Sequence, residues 1–154
     1  MEGNKLIIRE FCKEDAAKVS NIIRDNLIYI NSRDYPGEVI DYMYKLFTAD
    51  YIYDMSKKRK TYVGTYNNKI IGTASLDENM ICAVYIDTIY HKQGIGKSIM
   101  NFIEKVALSS GIKLVSLHAS ITGTKFYEKL GYKAVTEGES KEFGRYIIME
   151  KYLE

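Results

Sequence analysis

The stretch Met80–Lys97, MICAVYIDTIYHKQGIGK, contains residue types in an order suited to binding phosphate. Its first part, with Ile81, Val84, Tyr85 and Ile86, is rich in strand formers and too short for a buried helix. The chain then turns through polar residues and reaches Gly94-Ile95-Gly96. Beyond it, Ile95, Ile99, Ile103 and Val106 or Ala107 recur at three- and four-residue steps, which predicts a helix. Strand, glycine loop and helix in this order build an anion site. A helix N-terminus leaves backbone N–H groups unpaired and carries partial positive charge. Glycine lets a phosphate approach the backbone with no side chain between them.

The spacing excludes two common phosphate ligands. A Walker A loop needs glycine five residues before Gly96-Lys97-Ser98, and His91 stands there. A dinucleotide fingerprint needs glycine three residues after Gly96, where the chain has Ile99. It also needs a ribose-reading acid about twenty residues further on, and none is suitably placed.

The frame His91-Lys92-Gln93-Gly94-Ile95-Gly96 resembles the acetyl-CoA loop of the GNAT superfamily of N-acetyltransferases. That motif is Gln or Arg, two residues, Gly, one residue, then Gly or Ala, directly after a strand. Both small positions match, His91 replaces the first, and Val84-Tyr85-Ile86-Asp87 is similar to the preceding strand end. Thr88 stands where the family often has proline. A second segment, Ser120–Tyr132, resembles the last family motif, Asn-x-x-Ala-x-x-Phe-Tyr-Glu-Lys-x-Gly-Phe. Phe126-Tyr127-Glu128-Lys129-Leu130-Gly131-Tyr132 follows it closely, with Ser120 and Gly123 in place of the asparagine and alanine.

The resemblance implies an α+β fold: a mixed, mostly antiparallel central sheet flanked by helices. That sheet would splay open between the Met80 strand and Lys113–Ala119, admitting cofactor and acceptor from opposite sides. It implies acetyl-CoA as cofactor and transfer of its acetyl group to a primary amine by direct attack in a ternary complex. Pyrophosphate would sit on the loop His91, Lys92, Gln93, Gly94, Ile95, Gly96 and Lys97. The pantetheine arm would lie along Val84, Tyr85 and Ile86, one of which would polarise the thioester carbonyl. Ser120 would contribute its hydroxyl to the cofactor side. Tyr127 matches the tyrosine that protonates the leaving thiolate, and it also lies near the cofactor's sulfur. A phenol keeps its proton at neutral pH and so can serve as the acid. The base stays open among Glu78, at the start of the organising strand, Asp77, Asp87, His118 and a water chain. A non-catalytic acyl-CoA-binding regulatory module of the same fold is the alternative reading.

The elements that must position these residues follow in chain order. Lys5–Arg9 predicts a strand, and a helix opens at Asp15 with Val19, Ile22, Ile23, Leu27 and Ile30 on one face. Asn31–Pro36 predicts a turn, because proline fixes its own φ and disfavours helix at Tyr35. A second helix runs from Gly37 to Phe47. Thr61–Tyr66 and Lys69–Leu76 predict a hairpin through Asn67-Asn68, which tolerate left-handed backbone. Asp77-Glu78-Asn79 turns the chain into the organising strand, and Gly111 caps the long helix. The last two strands, Ala134–Glu137 and Phe143–Tyr152, are expected to flank a Gly138-Glu139-Ser140 turn.

Between Asp25 and Asp54 lie six acids against two bases, interleaved with Tyr29, Tyr35, Tyr42, Tyr44, Tyr51 and Tyr53. Walling an acceptor pocket, they would favour a cationic amine; the other reading is a solvated helix surface. Lys57-Lys58-Arg59-Lys60 reads as a solvated turn, with steering of a phosphorylated cofactor as the alternative.

The 154 residues suit one domain spanning 1–154. With 22 basic and 20 acidic residues the chain lacks the basic surplus of an electrostatic nucleic-acid binder. Cys12, Cys82, His91 and His118 show neither disulfide framework nor metal spacing, so no metal is expected. No run has the length of a transmembrane helix and MEGNKLIIRE lacks a signal-peptide core, which predicts a cytoplasmic protein without a membrane partner. Its partner would be a small-molecule or peptide amine acceptor. A monomer and a homodimer are equally compatible with the sequence.

Overall fold

The computed structural model describes residues 5–154. Its strands are β1 (Ile7–Glu10), β2 (Lys60–Tyr66), β3 (Lys69–Asp77), β4 (Met80–Ile86), β5 (Leu114–Ser120), β6 (Lys133–Ser140) and β7 (Gly144–Tyr152). They form one sheet in the order β1-β2-β3-β4-β5-β7-β6, antiparallel throughout except between β4 and β5. The helices are α1 (Ala16–Tyr29), α2 (Gly37–Leu46), α3 (Ala49–Ser56), α4 (Ile95–Ser109) and α5 (Thr124–Lys129).

Local chemistry accounts for most of these boundaries. Asn67 and Asn68 adopt φ of 52° and 63°, the left-handed pair of a tight hairpin between β2 and β3. At the end of α4 the Ile112 N–H reaches back to the Ala107 carbonyl and Gly111 N–H to Leu108, a Schellman closure. Helix α3 was not anticipated. Thr48 caps it, its hydroxyl accepting the Tyr51 N–H at 3.1 Å, and Ile52 is its buried anchor.

The two faces of the sheet carry separate cores. Ile103, Met100 and Ala107 of α4 pack with Leu76, Ile81, Val115 and Leu117 on one face. Val19, Ile23 and Leu27 of α1 pack with Ile40, Phe47, Ile52 and Val63 on the other. Tyr132 is 2% exposed, and its hydroxyl donates to Glu104 Oε2 at 2.7 Å while Lys151 pairs with Oε1 at 2.9 Å. Phenylalanine would leave that part-buried carboxylate with one partner fewer, which accounts for tyrosine at this motif position.

The sheet opens where the resemblance implies. β4 and β5 pair only at Met80↔Ser116 and Ile81↔Leu117. Beyond this, β4 carries a bulge. Its partners on β3 pass from Cys82↔Ser75 to Tyr85↔Thr73, so Ala83 and Val84 together oppose one residue, with Ala83 at φ 52°. A bulge adds local twist and bends its strand, and this one turns β4 away from β5. β5 instead stays paired with β7 from Leu114↔Tyr152 to Ser120↔Tyr146.

One expected turn is corrected. Gly138-Glu139-Ser140 lies inside β6, and the chain reverses at 141–143. Gly138 faces Tyr146, and a β-carbon there would lie 2.5 Å from that ring. This glycine accommodates an aromatic neighbour across the sheet.

The start of α1 is tied to β1 by Asp15, whose carboxylate takes a two-pronged bond from Arg9 (2.8 and 2.9 Å) and the Cys12 N–H at 2.8 Å. The Arg9 hydrogen bond is the main force holding this carboxyl below its ordinary pKa, against the opposing effect of burial. Its contribution is fully present above the unfolded value near 3.9 and is lost as pH falls through the lower folded value. Asp15→Ala is expected to cost about 2 kcal/mol at pH 7. The cost should shrink toward zero in acid, as read from urea unfolding midpoints at a series of pH values.

Candidate functional site

The organising strand ends in a tightly bonded corner. Asp87 N–H donates to the Ile71 carbonyl at 2.7 Å, and the Asp87 carboxylate accepts the Ile89 N–H at 3.1 Å, with Lys18 at 3.8 Å. Asp87, a candidate base, thus serves as a cap. The Ile86 carbonyl accepts from Asn26 Nδ2 at 2.8 Å and lies 2.9 Å from His91 Nε2. A carbonyl can only accept, so that nitrogen carries the proton. His91 therefore braces the strand end, and this ring nitrogen is not offered to a phosphate. Gln93 likewise turns its amide to the Ile89 carbonyl at 3.2 Å.

The backbone of the loop offers unpaired donors. Lys92 (φ 62°) and Gly94 (φ 81°) are both left-handed, and Gly94 caps α4. The first intrahelical bond runs from Ser98 N–H to the Gly94 carbonyl at 3.1 Å. The N–H groups of Ile95, Gly96 and Lys97 precede it and have no intrahelical acceptor. A β-carbon on Gly94 would meet nothing within 4 Å, so the space beside that residue is open. Gly96 has a different role: a β-carbon there would lie 2.9 Å from the Phe126 ring, which packs the second motif onto the first. Lys92 and Lys97 are exposed.

Antiparallel bonding alternates along β4. Asp87 bonds to Ile71, and two residues back Tyr85 is registered to Thr73. The N–H groups of Ile86 and Val84 therefore face the splay, where β5 has already diverged. Along the strand, Val84 points its side chain to the α4 face and Tyr85 to the α1 face. Tyr127, on α5, packs edge-on against Phe126 (5.0 Å) and Tyr132 (5.9 Å) on the α4 side. Burial, then the proximity of Tyr85, raises its phenol pKa above the ordinary value. Among the described residues no hydrogen bond engages its hydroxyl. Ser120 Oγ accepts the Gly123 N–H at 3.0 Å, capping the turn before α5.

On the opposite face a cavity of about 420 Å³ opens beside the bare edge of β4. Cys82 and Tyr85 line it from the sheet, Tyr35 and Phe47 from the helical side, His118 and Tyr146 from β5 and β7. Tyr35 spans the cleft: its hydroxyl donates to the Arg145 carbonyl at 2.7 Å and accepts the Ile121 N–H at 2.9 Å. His118 stacks on Tyr146 with ring centroids 4.6 Å apart and planes 8° from parallel. Burial pushes the Tyr85 phenol up to about 12.

Several expected groups lie elsewhere. Glu78 occupies an exposed turn at φ 54° and does not line the cavity, nor do Asp77 and Asp87. Of the base candidates only His118 does. Among the described residues no aspartate or glutamate lines it, so the acids of Asp25–Asp54 do not wall it. Asp41 and Asp54 pair with Lys45 and Lys57, and Asp34 accepts from Thr122. The tyrosines divide: Tyr35 and Tyr51 line the cavity, whereas Tyr44 lies under Arg24 and Tyr53 under Lys57.

Arg59 departs from the solvated-turn expectation. It lines the cavity, and its Nη1 donates to Cys82 Sγ at 3.3 Å. Arg59 sits in a bend just before β2, so no local period marks it as inward-facing. Burial raises the Cys82 pKa, with Arg59 opposing. Among the described residues no group of three His, Cys, Asp or Glu could hold a metal. No described helix is long and apolar enough to cross a membrane.

Residues 31–153 match a family model described as an acetyltransferase (GNAT) domain. A Bacillus subtilis (strain 168) protein, named provisionally as an acetyltransferase, is 33% identical over 90 residues, 58% of each chain. The match thus spans less than two thirds of that relative. A GCN5-related N-acetyltransferase from Rhodopseudomonas palustris superposes with a TM-score of 0.90 at 22% identity, covering 96% of this chain and 95% of that one. The PaiA N-acetyltransferase from Thermoplasma acidophilum, solved with coenzyme A, gives 0.83 at 20% identity over 97% and 99%.

Proposed function

Because the chain belongs to the GNAT acetyltransferase family, we propose that it transfers an acetyl group from acetyl-CoA to a primary amine by direct attack in a ternary complex. The observation that carries this reading is the unpaired edge of β4 between two recesses. One holds the bare N–H groups at the start of α4, and the other is the 420 Å³ cavity. Coenzyme A bound in the PaiA structure supports acetyl-CoA as the cofactor.

The residues present fit that cofactor. The N–H groups of Ile95, Gly96 and Lys97 would hold the pyrophosphate, with Lys92 and Lys97 adding screened positive charge. The Val84 and Ile86 N–H groups would hold the pantetheine arm or the carbonyl oxygen. When bound, acetyl-CoA supplies a thioester whose C–S bond breaks as a C–N bond forms, one proton leaving nitrogen and one ending on sulfur.

Tyr127 would provide the proton at sulfur. Its raised pKa keeps the phenol protonated, so its proton is present to be donated to the sulfur as negative charge develops there. His118, in the cavity wall, is the best-placed acceptor for the amine proton. Glu78 would have to act through water. Cys82 supports the direct route: its thiol is held protonated by burial, and its sulfur contact is a guanidinium rather than a histidine.

The test is thermal shift with acetyl-CoA, CoA and ATP, followed by thiol release across an amine panel. Both CoA ligands should raise the melting temperature and ATP should not. Initial velocities should give intersecting double-reciprocal lines. Parallel lines would exclude the ternary complex, and CoA binding without turnover of any amine would favour the regulatory module.

A further inference from the structure

Arg59 is a cation without a counter-ion in the cavity assigned above to the acceptor. No carboxylate of the described residues forms a salt bridge with it. Its Nε is buried and has no hydrogen-bond partner. Its one side-chain contact, Nη1 to Cys82 Sγ at 3.3 Å, is a weak bond, because sulfur is a poor acceptor. A guanidinium presents five donors in a planar fork that matches a carboxylate. The protein's own acceptors therefore leave the guanidinium largely unsatisfied, which is rare for a part-buried charge.

The rest of the lining agrees. It contains tyrosine hydroxyls, a thiol, a histidine and apolar side chains, with no acid among the described residues to offset Arg59 or attract a cation. A simple diamine or polyamine would carry only positive charge into a positive recess. A molecule with both an amine and a carboxylate would bring the missing anion with it. Cys82, which Arg59 contacts, lies just before the Ala83–Val84 bulge, so the guanidinium and the free edge of β4 border the same cavity. That cavity, about 420 Å³, has room for an amino acid.

We propose that the acceptor is an amino-acid-sized amine bearing a carboxylate, and that Arg59 binds the carboxylate while the amine faces the open edge of β4. This rests on the acetyltransferase reading of the site. It differs from that reading in what it requires of the acceptor's second charge.

The experiment compares the standard amino acids with the amines formed by removing their carboxylates, for example lysine with 1,5-diaminopentane and phenylalanine with phenethylamine. Acetylation is read by thiol release, and binding by thermal shift on the CoA-saturated protein. O-Phosphoethanolamine serves as the phosphate arm. In wild type at least one amino acid should exceed its decarboxylated partner by tenfold or more in kcat/KM, or alone raise the melting temperature. Arg59→Gln should abolish that difference while leaving the acetyl-CoA shift unchanged, and Arg59→Lys should restore part of it. Equal or better use of the decarboxylated partners overturns the proposal. So does preference for the phosphorylated amine, a preference that survives Arg59→Gln, or no response to any amino acid. Loss of the acetyltransferase reading has a separate signature, absence of any shift with acetyl-CoA or CoA. The wild-type comparison decides the matter even if the variants fold poorly.

Discussion

Tyr127→Phe is expected to lower kcat for acetyl transfer by about 100-fold, with KM for acetyl-CoA changed by no more than about twofold. The substitution keeps the ring, which packs edge-on against Phe126 and Tyr132 and borders the α4-side core. It removes a hydroxyl that no described residue engages, so the melting temperature should stay within about two degrees of wild type. Burial holds the phenol above its ordinary value. Wild-type activity should therefore show no alkaline decline from Tyr127 below about pH 10. Single-turnover thiol release, read beside circular dichroism, separates chemistry from folding. Unchanged kcat would reduce Tyr127 to a packed aromatic and leave sulfur to be protonated by water.

Gly94→Glu is expected to weaken acetyl-CoA binding by more than about 100-fold, equivalent to about 2.7 kcal/mol or more. Two effects combine at this position. Glycine caps the 15-residue helix α4 at φ 81°, and a β-carbon in that conformation costs about 1–2 kcal/mol. The open space in front of Gly94 leaves room for the new side chain. Its carboxylate would then sit where the bare N–H groups would receive pyrophosphate, repelling the ligand and competing for the same donors. Gly94→Ala isolates the first effect. It should lose stability while retaining most of the affinity. Calorimetric titration of both variants gives the comparison, and full affinity in Gly94→Glu would remove the loop as the phosphate site.

Much of this molecule is determined locally and was readable from the chain. Apolar residues at three- and four-residue steps fix α1 and α4, because each must bury one stripe against the sheet. Asn67-Asn68 fixes the hairpin, because few residues accept left-handed backbone twice in succession. Gly94 and the Phe126–Tyr132 run identify the two motifs, and their order around one helix and one strand sets the fold. Local reading fails where a residue's role depends on what lies across the sheet. Gly138 has the composition of a turn, yet it sits opposite Tyr146 in mid-strand. Helix α3 escaped notice because its one buried anchor gives almost no period to detect.

The chemistry divides along the same line. The proposed cofactor side would be made by consecutive backbone N–H groups, so sequence alone specifies it. The cavity proposed for the acceptor is assembled from residues scattered between Leu27 and Tyr146, which meet only after β4 bends away from β5. The conspicuous acids of Asp25–Asp54 stay in solvent because lysines and water satisfy them there at less cost than burial. Arg59 lies in a run of lysines, at a bend before β2, and its turn inward toward Cys82 is set only in the folded chain. The sequence by itself determined the fold, the family and the glycine loop at the head of α4, whose physics is local. Only the tertiary structure decided which charges the cavity holds, because that depends on which distant side chains share one enclosed space.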